Sequence, residues 1–401
     1  MFSFFAKAQE EVVAVFDIGN GSIGVAFVQL SHHTAPVILY VHREPISFLP
    51  EVTADRLLAN MLKLLKSVTS NLQKTGMPHL QKQIGNYHVK RAFCTYSSPW
   101  YISQTKVVRV EEPKLFTVTK NVIDNVVRKE EAAFMQSLKD GKYEKMFGLD
   151  AKLMERRIIH TRLNGYEVQD PFNKRVKELE ISFFSSFISK TIIEQVEKTL
   201  HSFFGFTDIK HGSYALSSWS AVRDMYHNVN DFLFLDISNE VTDVVLSYKG
   251  VLAETISFPM GRSAILRAIA KELAIPPEIA QSFLSLYIKK TVEKNFSDKI
   301  GSIILAVTQE WNRELTKALI ELETSYPIPR HVFITADSDV SSVFVRELSK
   351  SVDARLSVPQ NTFEVTVLGE NSVRPYVHAT TGLSYDPFLS LESMFLNKIA
   401  L

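Results

Sequence analysis

The chain has almost no cysteine. Cys94, in "RAFCTYSSPW", is the single one among 401 residues, so no intramolecular disulfide can form and a reducing compartment is expected. With an apolar run around it and no neighbouring acid or base, Cys94 reads as a core thiol rather than a nucleophile. An excess of charge is missing as well. Lys and Arg number 45 against 44 Asp and Glu, a formal net charge of +1, which gives no global electrostatic reason to expect nucleic acid as a partner. No run reaches the roughly 18 to 20 uninterrupted apolar residues that a membrane-spanning helix needs. The start, "MFSFFAKAQEE", lacks the length and small-residue cleavage site of a secretion signal, so a cytoplasmic location is expected.

What is present is an ordinary globular composition, 45% hydrophobic and 22% charged, in a chain too long for one ordinary core. Two domains or one bilobed unit is the expectation. Strand-like and helical patterns alternate, which favours an α/β protein. In "VVAVFDIGNGSIGVAFVQL" an apolar strand ends on Asp17, passes through a glycine-rich turn and resumes; "VILYVHREPISF" reads as a third strand. "TADRLLANMLKLLKSVTSNLQKTG" reads as an amphipathic helix with Leu57, Leu58, Met61, Leu62, Leu65 and Val68 on one face and Gly76 just past its end.

From about Tyr87 the pattern changes to short strands and the charged helix "NVIDNVVRKEEAAFMQSLKDG". Hairpin and turn signals follow at Asn164-Gly165 and Asp170-Pro171. A helix from Thr191 to Phe204 is then ended by Gly205, and the whole segment reads as a small α+β module inserted in the first domain. The opening pattern returns in "FLFLDISNEVTDVVLSYKG", again an apolar run, an aspartate (Asp236), a polar turn and a second strand, which marks a duplicated unit. Further on, Ile303, Ile304, Val307, Trp311, Leu315 and Leu319 recur at helical spacing.

Two strand-Asp-hairpin-strand units suit phosphate chemistry. Backbone N–H groups in tight turns bind phosphate oxygens, and glycine allows close approach. A carboxylate beside them can hold a hydrated Mg²⁺.

Taken in order, these segments resemble the actin-like ATPase superfamily, and within it the FtsA and PilM type. "FDIGNGSIGVA" is similar to its first phosphate loop and "LDISNEVTDVVL" to its second. "FPMGRSAILRAIAKELAI" resembles the turn and helix leading into the second small subdomain, and "VFITADSDVSSVFVREL" the adenosine-side strand and loop. "RLNGYEVQDPFNKRVKELEISFFSSF" resembles part of the inserted subdomain called 1C or SHS2, and "YVHATTGLSY" the closing helix of the first lobe. The resemblance runs from about Glu11 to Tyr385. It implies a two-lobed actin-like fold, a duplicated ribonuclease H-like unit carrying an inserted α+β SHS2/1C subdomain.

The expected segments are a first-lobe core at 10–86, the insertion at 87–207 and a return at 208–229. The second-lobe core follows at 230–268, its small subdomain at 269–330 and its return at 331–375. A first-lobe closing helix at 376–386 and an amphipathic tail at 387–401 complete the chain. The resemblance also implies nucleotide-binding candidates: Asp17, Gly19, Asn20, Gly21 and Ser22 in the first loop, Asp236, Ser238, Asn239 and Thr242 in the second, then Gly261, Ala336 and Asp337. ATP and Mg²⁺ are the implied cofactors, with Asp17 and Asp236 near the metal.

The departures from that pattern matter equally. The second loop reads Asp236-Ile237-Ser238-Asn239-Glu240, with side chains where active members carry glycine, and Glu240 is expected to add negative charge beside the phosphates. Like charges about 4 Å apart repel by on the order of 4 kcal/mol at an effective dielectric near 20. The adenosine loop reads Ala336-Asp337-Ser338-Asp339, which puts acids where a purine and ribose would pass. Gln281 and Leu284 stand where Glu and Lys usually face the adenosine.

Two readings follow. In one the chain is a cytoplasmic adaptor or scaffold of a membrane-associated machine, of pilus assembly or cell division, with weak or lost nucleotide binding. Its partner is then a peptide or cytoplasmic segment of an inner-membrane or division protein, with self-association as a further candidate and no nucleic acid. In the other it is a working Mg²⁺-ATPase. The altered loops favour the first, and no positioned base for phosphoryl transfer is identifiable.

The remaining features read plainly. His32-His33 is an exposed turn rather than a zinc site, and Trp100-Tyr101 is local core packing rather than a partner-binding pair. In "DPFLSLESMFLNKIAL" Phe388, Leu391, Met394, Phe395 and Ile399 share one side, with Ser390, Ser393 and Asn397 opposite. Lys398 is its single basic residue, offset by Glu392, so packing on its own lobe or binding a partner competes with peripheral attachment to the membrane.

Overall fold

The computed structural model describes residues 11–31, 34–49, 52–139, 150–291, 293–350 and 353–399; the expectation at His32-His33 falls outside them. The opening run forms β1 (Glu11–Ile18), buried from Val12 onward. A strand covered on both faces needs no polar alternation, which explains its continuous apolar sequence. β2 (Ser22–Leu30) folds back antiparallel with Asp17 opposite Gly24, and β3 (Val37–Pro45) pairs with β2. On the other side of β1 lie β4 (Arg91–Tyr96) and β9 (Asp208–Ser213), both parallel, while β15 (His378–Ala379) pairs with β3.

The second sheet repeats this plan. β10 (Phe232–Ile237) and β11 (Thr242–Tyr248) form the hairpin with Asp236 opposite Asp243, β12 (Val251–Phe258) flanks β11, and β13 (His331–Ala336) and β14 (Glu364–Val367) add in parallel. The orders β3-β2-β1-β4-β9 and β12-β11-β10-β13-β14 are the same topology. The two strand-Asp-hairpin-strand units therefore occupy equivalent places in two lobes; one apolar core joins the first lobe to Phe232, Phe234, Val245, Leu252 and Phe333 of the second sheet, and another belongs to the second lobe.

A third, antiparallel sheet, in order β5-β8-β6-β7, is made by β5 (Tyr101–Thr117), β6 (Ala151–Leu163), β7 (Tyr166–Glu167) and β8 (Arg175–Ser189). Ile123 and Val127 of α3 (Lys120–Lys139) share a separate core with Leu179, Ile181 and Phe183 of this sheet. The module touches both lobes. Glu155 accepts from the Ser213 N–H at 2.7 Å, and the hydroxyls of Ser103 and Thr255 lie 2.9 Å apart.

Several expected boundaries move. α1 (Ala54–Asn71) does not stop at Gly76 but runs on through a π-helical turn (Leu72–Gly76) into α2 (Met77–Ile84), ending at Gly85 with φ +77°. A Cβ at Gly76 would lie 3.0 Å from the Tyr40 ring and from Leu72, so this glycine makes room for a neighbour rather than ending the helix. The insertion begins later than residue 87 and ends before 207, because β4 pairs with β1 and α4 (Lys190–Phe203) buries Ile192, Ile193, Val196 and Leu200 in the first-lobe core. α5 (Tyr214–Met225) follows in that lobe. The boundary at 268 falls inside α6 (Arg262–Leu273), whose Ile265, Leu266 and Ile269 share the second core with α7 (Pro277–Ile288) and α8 (Lys294–Glu323). Past α9 (Ser341–Leu348) and the single-turn α10 (Glu370–Val373), residues 376–386 form β15 and turns, not a helix. The helix that closes the first lobe is the expected tail, α11 (Pro387–Ile399), packed against α5, β1 and β2 with both its leucines and its serines buried.

Candidate functional site

The two hairpin loops meet where the two lobes join. Asn20, buried at the tip of the first loop, donates through Nδ2 to the Ser98 carbonyl at 2.5 Å and to Ser238 Oγ at 2.8 Å, and its Oδ1 accepts from the Glu240 N–H at 3.0 Å. Gly21 lets the second loop in, since a Cβ there would lie 2.5 Å from Asn239 Cγ. Gly261, the N-cap of α6, packs just as closely, and a Cβ on it would overlap the Ser238 carbonyl oxygen.

Buried backbone groups must be paired, so their partners reveal what the loops are free to bind. The Gly19 N–H donates to Ser22 O at 3.1 Å and the Ser238 N–H to Val241 O at 3.1 Å. The Arg262 and Ser263 N–H groups at the start of α6 donate to Ser238 O at 3.0 Å and Asn239 O at 2.9 Å. Gly19 O accepts from Trp100 Nε1 at 3.1 Å and Gly21 O from the Ile46 N–H at 2.8 Å. The amides of Gly19, Ser238, Arg262 and Ser263 are thus engaged within the protein. Asn239 Oδ1, a buried acceptor, has no partner among the described residues, and an acceptor does not attract a phosphate.

The acids are neutralised in the same internal way. Asp17 Oδ2 accepts from Arg43 Nη2 at 2.7 Å, and Arg43 also grips Asp386 (Nε to Oδ2 2.6 Å, Nη2 to Oδ1 3.0 Å) and Ser22 Oγ (2.9 Å). Burial by itself would push the Arg43 guanidinium down, but the carboxylates of Asp386 and Asp17 more than offset this and hold it charged. Behind Asp17, on α11, lies the fully buried Glu392, which accepts from Thr95 Oγ1. Burial, then the neighbouring Asp17 charge, push its carboxyl well above the usual range. Asp236 accepts from Thr335 Oγ1 at 2.8 Å, and burial followed by the nearby Asp243 raises it well above the ordinary value as well. Asp243 is itself held by Ser257 Oγ at 2.5 Å. So in the expected metal pair Asp17 is bound to a guanidinium and Asp236 to a hydroxyl, and burial shifts both carboxyls upward. Among the described residues no cluster of three or more His, Cys, Asp or Glu is placed to hold a metal ion.

The expected repulsive charges are paired too. Arg267 of α6 holds Glu240 through two bonds of 3.1 and 2.8 Å, so Glu240 does not stand as a bare charge beside the loops. Arg262 grips Asp339 at 2.6 to 3.1 Å and lies 3.6 Å from Asp337, tying the start of α6 to the adenosine-side loop that follows Ala336 at the end of β13. Leu284 lies in the second core, whereas Gln281 is exposed. Thr242 is a structural residue: its hydroxyl donates to Met260 O at 2.7 Å and accepts from Trp311 Nε1 at 2.9 Å. Sequence reasoning missed Arg43, Asp386 and Glu392. The available signals were an arginine inside the strand "VILYVHREP" and a glutamate inside the apolar "FLSLESMFL".

Among solved structures, a chain of a PilM–PilN type IV pilus biogenesis complex superposes with a TM-score of 0.62 at 13% identity, covering 96% of both chains. This chain shares its fold with that chain of the PilM–PilN complex. A Bacteroides thetaiotaomicron protein with an actin-like ATPase fold (TM-score 0.44, 10% identity, 98% of this chain and 99% of that one) and the ethanolamine utilization protein EutJ from Carboxydothermus hydrogenoformans (0.40, 13%, 97% and 89%) are more distant. No protein-family profile matches the sequence. No curated protein matches it either. Within that shared fold the two loops are joined to each other through Asn20. Among the described residues no helix is long and apolar enough to cross a membrane.

Proposed function

We propose that this chain is an adaptor of a membrane-associated assembly of the type IV pilus class, binding the cytoplasmic segment of an inner-membrane partner without turning over ATP. The observation that carries this is the Asn20 clasp: one buried side chain joins both candidate phosphate loops and accepts the Glu240 amide of the second. The likeness to a chain of the PilM–PilN complex supports pilus assembly over cell division. The module Tyr101–Ser189 is the candidate contact region, since Val107, Ile158, Tyr166 and Phe172 leave apolar side chains exposed there.

The test has two arms. Calorimetry should give Mg²⁺-ATP an affinity weaker than about 0.1 mM, some 5.5 kcal/mol of binding free energy. Cytoplasmic segments of inner-membrane pilus proteins should be retained by the full chain equally with and without ATP, and less by Val107→Asp and Tyr166→Ser variants. Low-micromolar affinity with hydrolysis abolished by Asp17→Ala would overturn the reading in favour of an ATPase.

A further inference from the structure

Arg43, on β3, sits within a set of protein oxygens. Two carboxylates from distant parts of the chain, Asp17 and Asp386, and the hydroxyl of Ser22 converge on one guanidinium at 2.6 to 3.0 Å. Phe388 covers its face at 4.9 Å. The backbone is shaped for it, because a Cβ at Gly24 on β2 would lie 2.5 Å from Arg43 Nη2. Carboxylate and hydroxyl oxygens are the ligands a hard divalent cation takes, and Asp17 is the residue where such an ion was expected.

We propose that Arg43 is the resident cation of this site, a built-in replacement for the metal. Through Asp386, which accepts from the Leu389 N–H at 3.1 Å in the first turn of α11, it fastens the closing helix to the first phosphate loop. The inference rests on the reading that the natural site takes no metal–nucleotide complex. Its test uses the metal alone, so the two fail separately. Removing the guanidinium leaves Asp17 and Asp386 facing each other uncompensated, and a divalent ion then becomes favourable where none was before.

The experiment is thermal unfolding of the full chain with and without millimolar Mg²⁺ or Mn²⁺. The natural chain should not respond. Arg43→Gln should melt several degrees lower and recover at least half of that loss with either metal, whereas Arg43→Gln combined with Asp17→Asn should show no metal response. Arg43→Lys keeps the charge and covers the case in which Arg43→Gln fails to fold; it should melt between the two and ignore metal. A metal-stabilised natural chain, a folded Arg43→Gln chain indifferent to both ions, or an Arg43→Lys chain that fails to fold or is stabilised by metal would each overturn the proposal.

Discussion

Removing residues 387–401 deletes α11, and the structure sets the size of the effect. Leu389, Leu391, Phe395 and Leu396 are each at most 5% exposed. Burying one such side chain contributes roughly 1.5 to 3 kcal/mol, so the four together stabilise the first lobe by about 6 to 12 kcal/mol. That equals most of the roughly 5 to 15 kcal/mol by which a native protein is stable. The polar side of the helix is tied down as well: Asn397 accepts from the Ser31 N–H at 2.8 Å and donates to Thr34 O at 3.0 Å, and Lys398 pairs with Asp224 at 2.8 Å. The shortened chain should therefore be insoluble or lack a cooperative transition by circular dichroism. Leu391→Ala, a gentler probe, should cost about 2 to 5 kcal/mol, a fall in Tm of roughly 4 to 20 °C at about 2 to 4 °C per kcal/mol. A detachable membrane anchor behaves oppositely. A soluble shortened chain with an unchanged Tm, together with an intact chain that sediments with anionic vesicles, would refute the reasoning.

Three further outcomes follow from the site. Asn20→Ala strands the Glu240 N–H and the Ser98 carbonyl, each costing about 1 to 3 kcal/mol if left unpaired; hydrogen exchange at the Glu240 amide should rise at least tenfold, and unchanged exchange would mean that the loops are not clasped. Gly21→Ala drives a Cβ into Asn239, and the overpacking should lower stability by about 1 to 3 kcal/mol in denaturant melts, whereas an unchanged midpoint would show the loops standing apart. Glu392 is protonated more readily in the folded chain than its ordinary value near 4.5 allows, so the folded state binds more protons and its contribution, full below about pH 4.5, is lost as pH rises through the elevated folded value. Glu392→Gln should make the Tm less sensitive to rising pH, and a variant with the natural chain's pH slope would exclude this role.

The segments that sequence reading placed well are those whose signal is local. The apolar run into Asp17, the glycine-rich turn and the returning strand fix a hairpin by pattern and turn chemistry, and the same pattern at Asp236 gives the duplicated topology. The misplaced boundaries were those where a local signal had a distant explanation. Gly76 looks like a helix stop until the Tyr40 ring beside it is seen, and β4 looks like part of the insertion until it pairs with β1.

The sequence by itself determined two equivalent Asp-bearing hairpins and the buried thiol of Cys94, because strand periodicity, turn residues and composition act over a few positions. Only the tertiary structure decided what the charges do. Glu240 and Asp339 read as repulsive until Arg267 and Arg262 of α6 are found beside them, and the expectation of a metal at Asp17 takes no account of Arg43, which bonds it from 26 residues along the chain and bonds Asp386 a further 343 residues on. The sign and environment of a carboxylate's neighbours are long-range facts. Coulombic pairing depends on separation in space, which folding sets and spacing along the chain does not.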